Sequence, residues 1–219
     1  MKNKYYLNKG LYDNKNIFEN TIEAIKMGLN THNGLYLTVR ETKDHILVIY
    51  EDSNLSRLHN MKDKISDTTY EDLSYLSFYH IPTLEEVLSI VNGKVDIILN
   101  LKIKPKNKEI IKVLSKYKGN ICLLGKAKII NKIHKKNKDL SIGEILTKGS
   151  FNLFMTKTEF KSIDIGFYNK LKVKKLKEDN IPLIGYLINN NDLLNEYKDV
   201  FDYLIIDNYK NLKIDKGMK

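Results

Sequence analysis

The stretch Leu35-Tyr36-Leu37-Thr38-Val39-Arg40-Glu41-Thr42-Lys43-Asp44-His45-Ile46-Leu47-Val48-Ile49-Tyr50-Glu51-Asp52 reads as a strand, a tight connection and a second strand. The apolar run Leu35–Val39 is followed by the run His45–Tyr50 after too few residues for a helix. A connection as short as Lys43-Asp44 permits only an antiparallel return, because a parallel crossover needs a dozen residues or more. The second limb therefore brings Glu51 and Asp52 back towards the end of the first.

Outward from this hairpin, short apolar runs alternate with amphipathic segments. The runs are Tyr5–Leu7, Leu35–Val39, Val95–Leu101, Asn120–Leu124, Leu140–Ile145, Ser162–Ile165, Leu183–Ile188 and Tyr203–Ile206, the fifth and sixth being weak. This is the pattern of a parallel sheet with crossover helices. Eight units suit a TIM-type (β/α)8 barrel with a hairpin and a short excursion, residues 53–80, after the second strand. An open doubly wound sheet fits the runs almost as well. Thr83 with Glu86 three residues on is a capping box ahead of Leu84, Val87, Leu88 and Val91. Asn20 with Glu23 reads as a second helix start. With neither repeat nor linker, residues 1–219 are expected to form a single domain, with a polar tail that frays from Lys210.

The 219 residues carry 37 Lys and Arg against 27 Asp and Glu, a net charge of +10. Arg40 and Arg57 are the only arginines. From Lys102 to Lys138 lysines crowd around one acid, Glu109, and one aromatic, Tyr117. Such a stretch is either an ordinary solvated surface or an anion-binding face. Nucleic-acid binders interleave arginine and aromatics for bidentate and stacking contacts, so nucleic acid is not favoured. No apolar run is long enough to span a bilayer. The basic start Met1–Leu7 leads into no apolar segment of a signal peptide, so a cytoplasmic location is expected. Cys122, the only cysteine, lies in the run Ile121–Leu124 and reads as buried and inert. His32, His45, His59, His80 and His134 read as surface or loop residues, with His59 the best placed of them to act at a site.

Six segments in order carry more. They are Asn8-Lys9-Gly10, Phe18-Glu19-Asn20-Thr21, Leu35 to Asp44, Tyr50-Glu51-Asp52, Ile81 to Leu88, and Leu99-Asn100-Leu101-Lys102. With Leu183 to Asn189 and Phe201 to Asp207, they resemble the glycerophosphodiester phosphodiesterase family over most of the chain. The resemblance implies the TIM-type barrel rather than the open sheet. It also implies metal-assisted hydrolysis of phosphodiesters, in lipid metabolism, by two histidines and a calcium or magnesium ion held by three carboxylates.

At the matched positions the chemistry is missing. The histidine positions hold Asn8 and Glu51, and the metal positions hold Tyr36, Thr38 and Asn100. What persists is Lys9 in place of a phosphate-facing arginine, Lys102, Glu19 of the Glu-Asn-Thr motif, and Tyr186 where the family has tryptophan. Five coordinated losses over an intact frame imply a family domain without its hydrolytic activity and without a cofactor. Such a domain could bind a phosphodiester, a phosphorylated small molecule or glycan, or a protein partner. Two alternatives stand beside it. One is a phosphodiester hydrolase with rearranged groups around Lys9, Glu51, Asp52 and Lys102. The other is a polyanion-binding protein that uses the 102–138 lysines.

Overall fold

The computed structural model describes residues 1–105, 108–146, 158–167, 170–207 and 209–214. Its centre is a closed barrel of parallel strands, β1 (Tyr5–Asn8), β2 (Gly34–Glu41), β4 (Ile97–Lys102), β5 (Ile121–Gly125), β6 (Ser141–Leu146), β7 (Phe160–Asp164), β8 (Leu183–Ile188) and β9 (Tyr203–Ile206). Each pairs with the next, and β1 pairs with both β9 and β2 to close the ring. The short strand β3 (Leu47–Ile49) pairs antiparallel with β2, Val39 opposite Ile49. The barrel and its hairpin are thus as the sequence implied, and the open sheet is excluded.

The strand alternation assigns the two faces. Leu35, Leu37 and Val39 of β2 and Ile97, Leu99 and Leu101 of β4 face outward. They join a cluster with Ile25 of α1 (Ile22–Leu29), Leu84 and Val87 of α4 (Leu84–Val91), and Ile110 of α5 (Glu109–Ser115). Tyr6, Tyr36, Ile98, Cys122, Leu124, Phe160, Ile184 and Ile205 fill the inside. Cys122 is fully buried. Burying each such side chain is worth about 1.5–3 kcal/mol. A further cluster lies under α7 (Lys170–Glu178) and α8 (Asn191–Tyr197), where Val173, Leu176 and Leu194 cover Leu183 and Leu204.

Local chemistry starts the helices. At α4 the Thr83 hydroxyl accepts from the Glu86 N–H at 3.2 Å, and the Glu86 carboxylate accepts from the Thr83 N–H at 2.7 Å. Thr83→Ala removes one arm of this box and should cost about 1 kcal/mol, read as a lowered urea midpoint with an unchanged slope. At α1 the cap is Thr21, whose hydroxyl accepts from the Ala24 N–H at 3.3 Å. Asn20 instead takes a left-handed turn, φ 62°, a conformation that Asn tolerates better than most residues.

The excursion carries α2 (Ser56–His59), a 3-10 turn at Ile65–Asp67, and α3 (Tyr70–Leu76). It builds a satellite core from Val48, Tyr50, Leu55, Ile65, Leu73 and Ile81. Its outer surface exposes Tyr75 and Phe78. α6 (Ala127–Lys136) follows β5 directly and lays Ile129, Ile130 and Ile133 on the barrel. The tail does not fray where it is described: Leu212 and Ile214 pack on the second cluster, and Asn191 accepts from the Lys213 N–H at 2.8 Å. Residues 215–219 lie outside the described residues, as does Lys106 of the lysine-rich stretch. No helix among the described residues is long and apolar enough to cross a membrane.

Candidate functional site

Inside the barrel, the apolar fill gives way to polar groups at the carboxyl ends of the strands, the end at which barrels of this kind carry their sites. The order of the strands explains which residues meet. Asn8 on β1 is in register with Tyr36 on β2, and Thr38 with Asn100 on β4. Since Tyr36 and Thr38 are two apart on one strand, all four line the same inner wall, and Lys102 continues it beyond Asn100. The sequence resemblance therefore selected residues that the fold does bring together.

Four of these wall residues are buried and neutral. Asn8, Tyr36, Thr38 and Asn100 are each at most 5% exposed. The Tyr36 ring lies 5.5 Å from that of Tyr186 on β8. Burial first, and then the neighbouring Tyr186 and the charge of Glu51, drive ionisation of the Tyr36 phenol far above its ordinary range. Burial acts in the same direction on Tyr186. The Thr38 hydroxyl donates to Glu51 Oε2 at 2.7 Å. Asn8 Nδ2 donates to Asp207 at 3.4 Å, and the Tyr12 hydroxyl donates to the same carboxylate at 2.6 Å. Asn8 Oδ1 and Asn100 Oδ1 are buried without a hydrogen-bond partner. Orphaned acceptors are uncommon in buried sites and call for a donor.

Charge enters from two sides. Glu51, at the end of the hairpin, is held by Thr38, and its backbone carbonyl accepts from Arg40 Nε at 3.1 Å. Lys102 is exposed and forms no ion pair among the described residues. Partial burial of its ammonium lowers its pKa, Glu51 opposes this, and the neighbouring charges of Arg40 and Lys126 add to it. Lys9 is engaged instead, 3.3 Å from Glu19. Glu19, with its side chain only 1% exposed, also receives Arg57 Nη1 at 2.9 Å. Arg57 Nε donates to Asp52 at 2.7 Å, so the carboxylate next to Glu51 is spoken for by the excursion. Burial opposes the Glu19 charge, but the Arg57 hydrogen bonds and the Lys9 charge outweigh it and leave its pKa below the ordinary value.

The backbone shapes this corner. Lys9 and Gly10 both have positive φ, 65° and 84°. A Cβ on Gly10 would lie 2.7 Å from the Ala24 carbonyl, so glycine lets the loop touch α1 and turns Lys9 towards Glu19.

His59 is a correction to the sequence reading. It is fully buried, packed between Tyr50 and Tyr79, and its Nδ1 accepts from the Phe78 N–H at 3.1 Å. Desolvation lowers its pKa. It is a core residue of the excursion. His45 and His80 contact Glu41 and Glu86, and His134 contacts the Leu140 carbonyl.

A calcium or magnesium ion prefers several anionic oxygens. A phenol held neutral, a hydroxyl already donating to Glu51 and a carboxamide do not make such a set. Among the described residues no three His, Cys, Asp or Glu side chains gather as a metal site. The residues at the three matched positions do not fit the cation.

The model of the Glycerophosphoryl diester phosphodiesterase family matches residues 8–143. A glycerophosphodiester phosphodiesterase of Bacillus altitudinis is 37% identical over 97 residues, 39% of this chain and 40% of that one. One from Caldanaerobacter subterraneus subsp. tengcongensis is 34% identical over 103 residues, 42% of each. These alignments span about two fifths of the curated relatives. Solved structures match over nearly the whole fold. The glycerophosphodiester phosphodiesterase of Thermotoga maritima superposes with a TM-score of 0.78 at 21% identity, over 94% of this chain and 95% of that one. An Oleispira antarctica phosphodiesterase in complex with the product sn-glycerol-3-phosphate superposes with a TM-score of 0.82 at 16% identity, over 94% and 93%. With the family model matched across 8–143, from the first strand to the sixth, the chain belongs to the glycerophosphoryl diester phosphodiesterase family.

Proposed function

We propose that this family member binds a phosphodiester or a phosphorylated polyol or glycan at the barrel mouth without hydrolysing it. One observation carries the reading: an exposed Lys102, with no ion pair among the described residues, stands above a buried neutral wall with two orphaned carboxamide oxygens, Asn8 Oδ1 and Asn100 Oδ1. An ammonium suits a phosphate, and orphaned acceptors suit the hydroxyl donors of a polyol. The related Oleispira enzyme holds sn-glycerol-3-phosphate, a ligand of this chemistry. The family's own reaction needs a proton donor, a proton acceptor and a cation. Asn8 can exchange no proton near neutral pH, and Tyr36, Thr38 and Asn100 offer a cation no carboxylate. General acid–base catalysis alone is worth about 10²–10⁴-fold.

Calorimetry with sn-glycerol-3-phosphate in chelator tests the reading. Binding is expected, and Lys102→Ala should weaken it by about 10- to 100-fold, the loss of one charge-assisted hydrogen bond. Binding should also fade as pH rises through a value below 10.5, because the lowered pKa makes Lys102 lose its charge early. In parallel, glycerophosphocholine is incubated with calcium, with magnesium and with chelator. Release of glycerol 3-phosphate that disappears in the Lys102 variant would replace this reading by a hydrolase with rearranged groups around Glu51. Binding indifferent to Lys102→Ala would remove the phosphate from the mouth.

A further inference from the structure

The cationic rim of the mouth does not end at Lys102. Lys126 closes β5 and opens α6, near enough to Lys102 to lower its pKa by repulsion. From there Lys128, Lys132 and Lys135 follow at intervals of four and three on the face of α6 opposite Ile129, Ile130 and Ile133, with Lys136 at the edge of that face. All four lysines are exposed. Their neighbours in the fold are paired differently. Lys112 and Lys116 of the α5 region reach Glu109 and Glu85 at 3.4 Å. No ion pair or side-chain hydrogen bond among the described residues involves Lys126 or the four lysines of the α6 face. The result is a stripe with about one unpaired cation per helical turn, some 15 Å long, that starts at the candidate phosphate site. The α6 N-terminus has no side-chain cap, so its free N–H groups add to the positive end.

We infer that this stripe continues the binding site, and that the ligand is a linear chain of phosphates on a backbone without aromatic bases. One phosphate sits at Lys102 and those that follow run down α6. The inference rests on the proposed mouth site and extends it from a single phosphate to a polymer. Mutual repulsion makes an uncompensated row of lysines unfavourable in isolation. A polyanion that lies along it relieves the repulsion and releases its own counterions. A nucleic acid fits less well. Neither arginine of the chain lies on the stripe. The one aromatic in this region, Tyr117, is half-buried, and its hydroxyl accepts from the Gly93 N–H at 3.1 Å. No Phe, Tyr or Trp lies on α6 to stack a base.

The test compares three ligands: long-chain inorganic polyphosphate, sn-glycerol-3-phosphate, and single-stranded DNA of matched charge. It compares three proteins: the native chain, Lys102→Ala, and the exposed-face variant Lys128→Gln/Lys132→Gln/Lys135→Gln. The α6 variant should lose at least tenfold in polyphosphate affinity at low salt. The slope of log K against log salt should flatten by about 2, from three lost phosphate contacts. Its affinity for sn-glycerol-3-phosphate should be unchanged. Equal polyphosphate binding by the native chain and the α6 variant overturns the inference. So does DNA bound as tightly as polyphosphate, which would leave a general polyelectrolyte surface. The sn-glycerol-3-phosphate arm with Lys102→Ala reports on the mouth by itself, so failure there is distinct from failure of the stripe.

Discussion

The variant Tyr36→Glu/Thr38→Asp/Asn100→Glu binds calcium, and the native chain does not. This is the expected result with the largest change in chemistry, and it follows from strand register. Positions 36 and 38 project to one face of β2, about 7 Å apart along the strand, and position 100 lies opposite 38 at the inter-strand spacing of about 4.8 Å. The backbone pairs Thr38 with Asn100 directly. Three carboxylates so placed offer a hard cation the anionic oxygens it prefers, whereas the native set is neutral.

Without calcium the three carboxylates repel one another in a buried wall, so the variant should melt below the native chain in chelator. Calcium at about 100 times its dissociation constant then restores about 2.7 kcal/mol. For a chain of this size that is about 5–10 °C in Tm. Differential scanning fluorimetry with and without calcium reads it directly. A native chain that shifts with calcium as much as the variant would show that the cation finds other ligands, and the argument from the donor set would fall. A variant indifferent to calcium would mean that the register does not bring the three positions together as the pairing requires.

Motif order made the mouth legible because the positions are fixed by strands, and strands announce themselves by alternation. Leu35, Leu37 and Val39 outward imply Tyr36 and Thr38 inward, and the same holds for Leu99 and Leu101 around Asn100. Reading failed where a side chain broke its local rule. The seventh strand begins at Phe160, two residues before the apolar run, because Lys161 is fully buried on that strand and pairs with Glu144 of the neighbouring strand at 2.7 Å. A lysine inside a strand reads as a boundary until its partner is known. The first helix is capped by Thr21 rather than Asn20; both residue types cap well, and only the left-handed turn at Asn20 decides between them. His59 looked like a polar loop residue because the satellite core beneath the excursion is assembled from residues far apart, Val48 to Ile81. The links of Arg57 to Glu19, 38 residues away, and of Tyr12 to Asp207, 195 residues away, leave no trace in spacing. Asp207 was visible only as the end of the last strand.

Glu19→Ala should be the most destabilising single change at the mouth. The carboxylate joins three parts of the chain: Lys9 after the first strand, Asn14, whose Nδ2 donates at 3.1 Å, and Arg57 on the excursion. Removing one partner of a buried ion pair typically costs about 3–5 kcal/mol, because the other charge is left buried. Here Arg57 keeps 43% of its side chain exposed and still pairs with Asp52, so it can recover hydration. The expected loss is therefore below that range, about 2–3 kcal/mol, seen as a reduced urea midpoint. The pH dependence identifies its origin. The pKa of Glu19 in the fold lies below the ordinary 4.5. Its ionised form therefore contributes stability that is fully present above 4.5 and lost as pH falls through the folded value. The difference between the native chain and the isosteric Glu19→Gln should accordingly shrink on acidification below 4.5 and stay constant from there to neutrality. A difference that stays the same at low pH would assign the effect to packing and leave the charge without a role. A difference that vanishes would make Glu19 the electrostatic clasp that holds the excursion over the mouth, and Arg57→Gln should then show the same pH profile, since the two variants break the same pair.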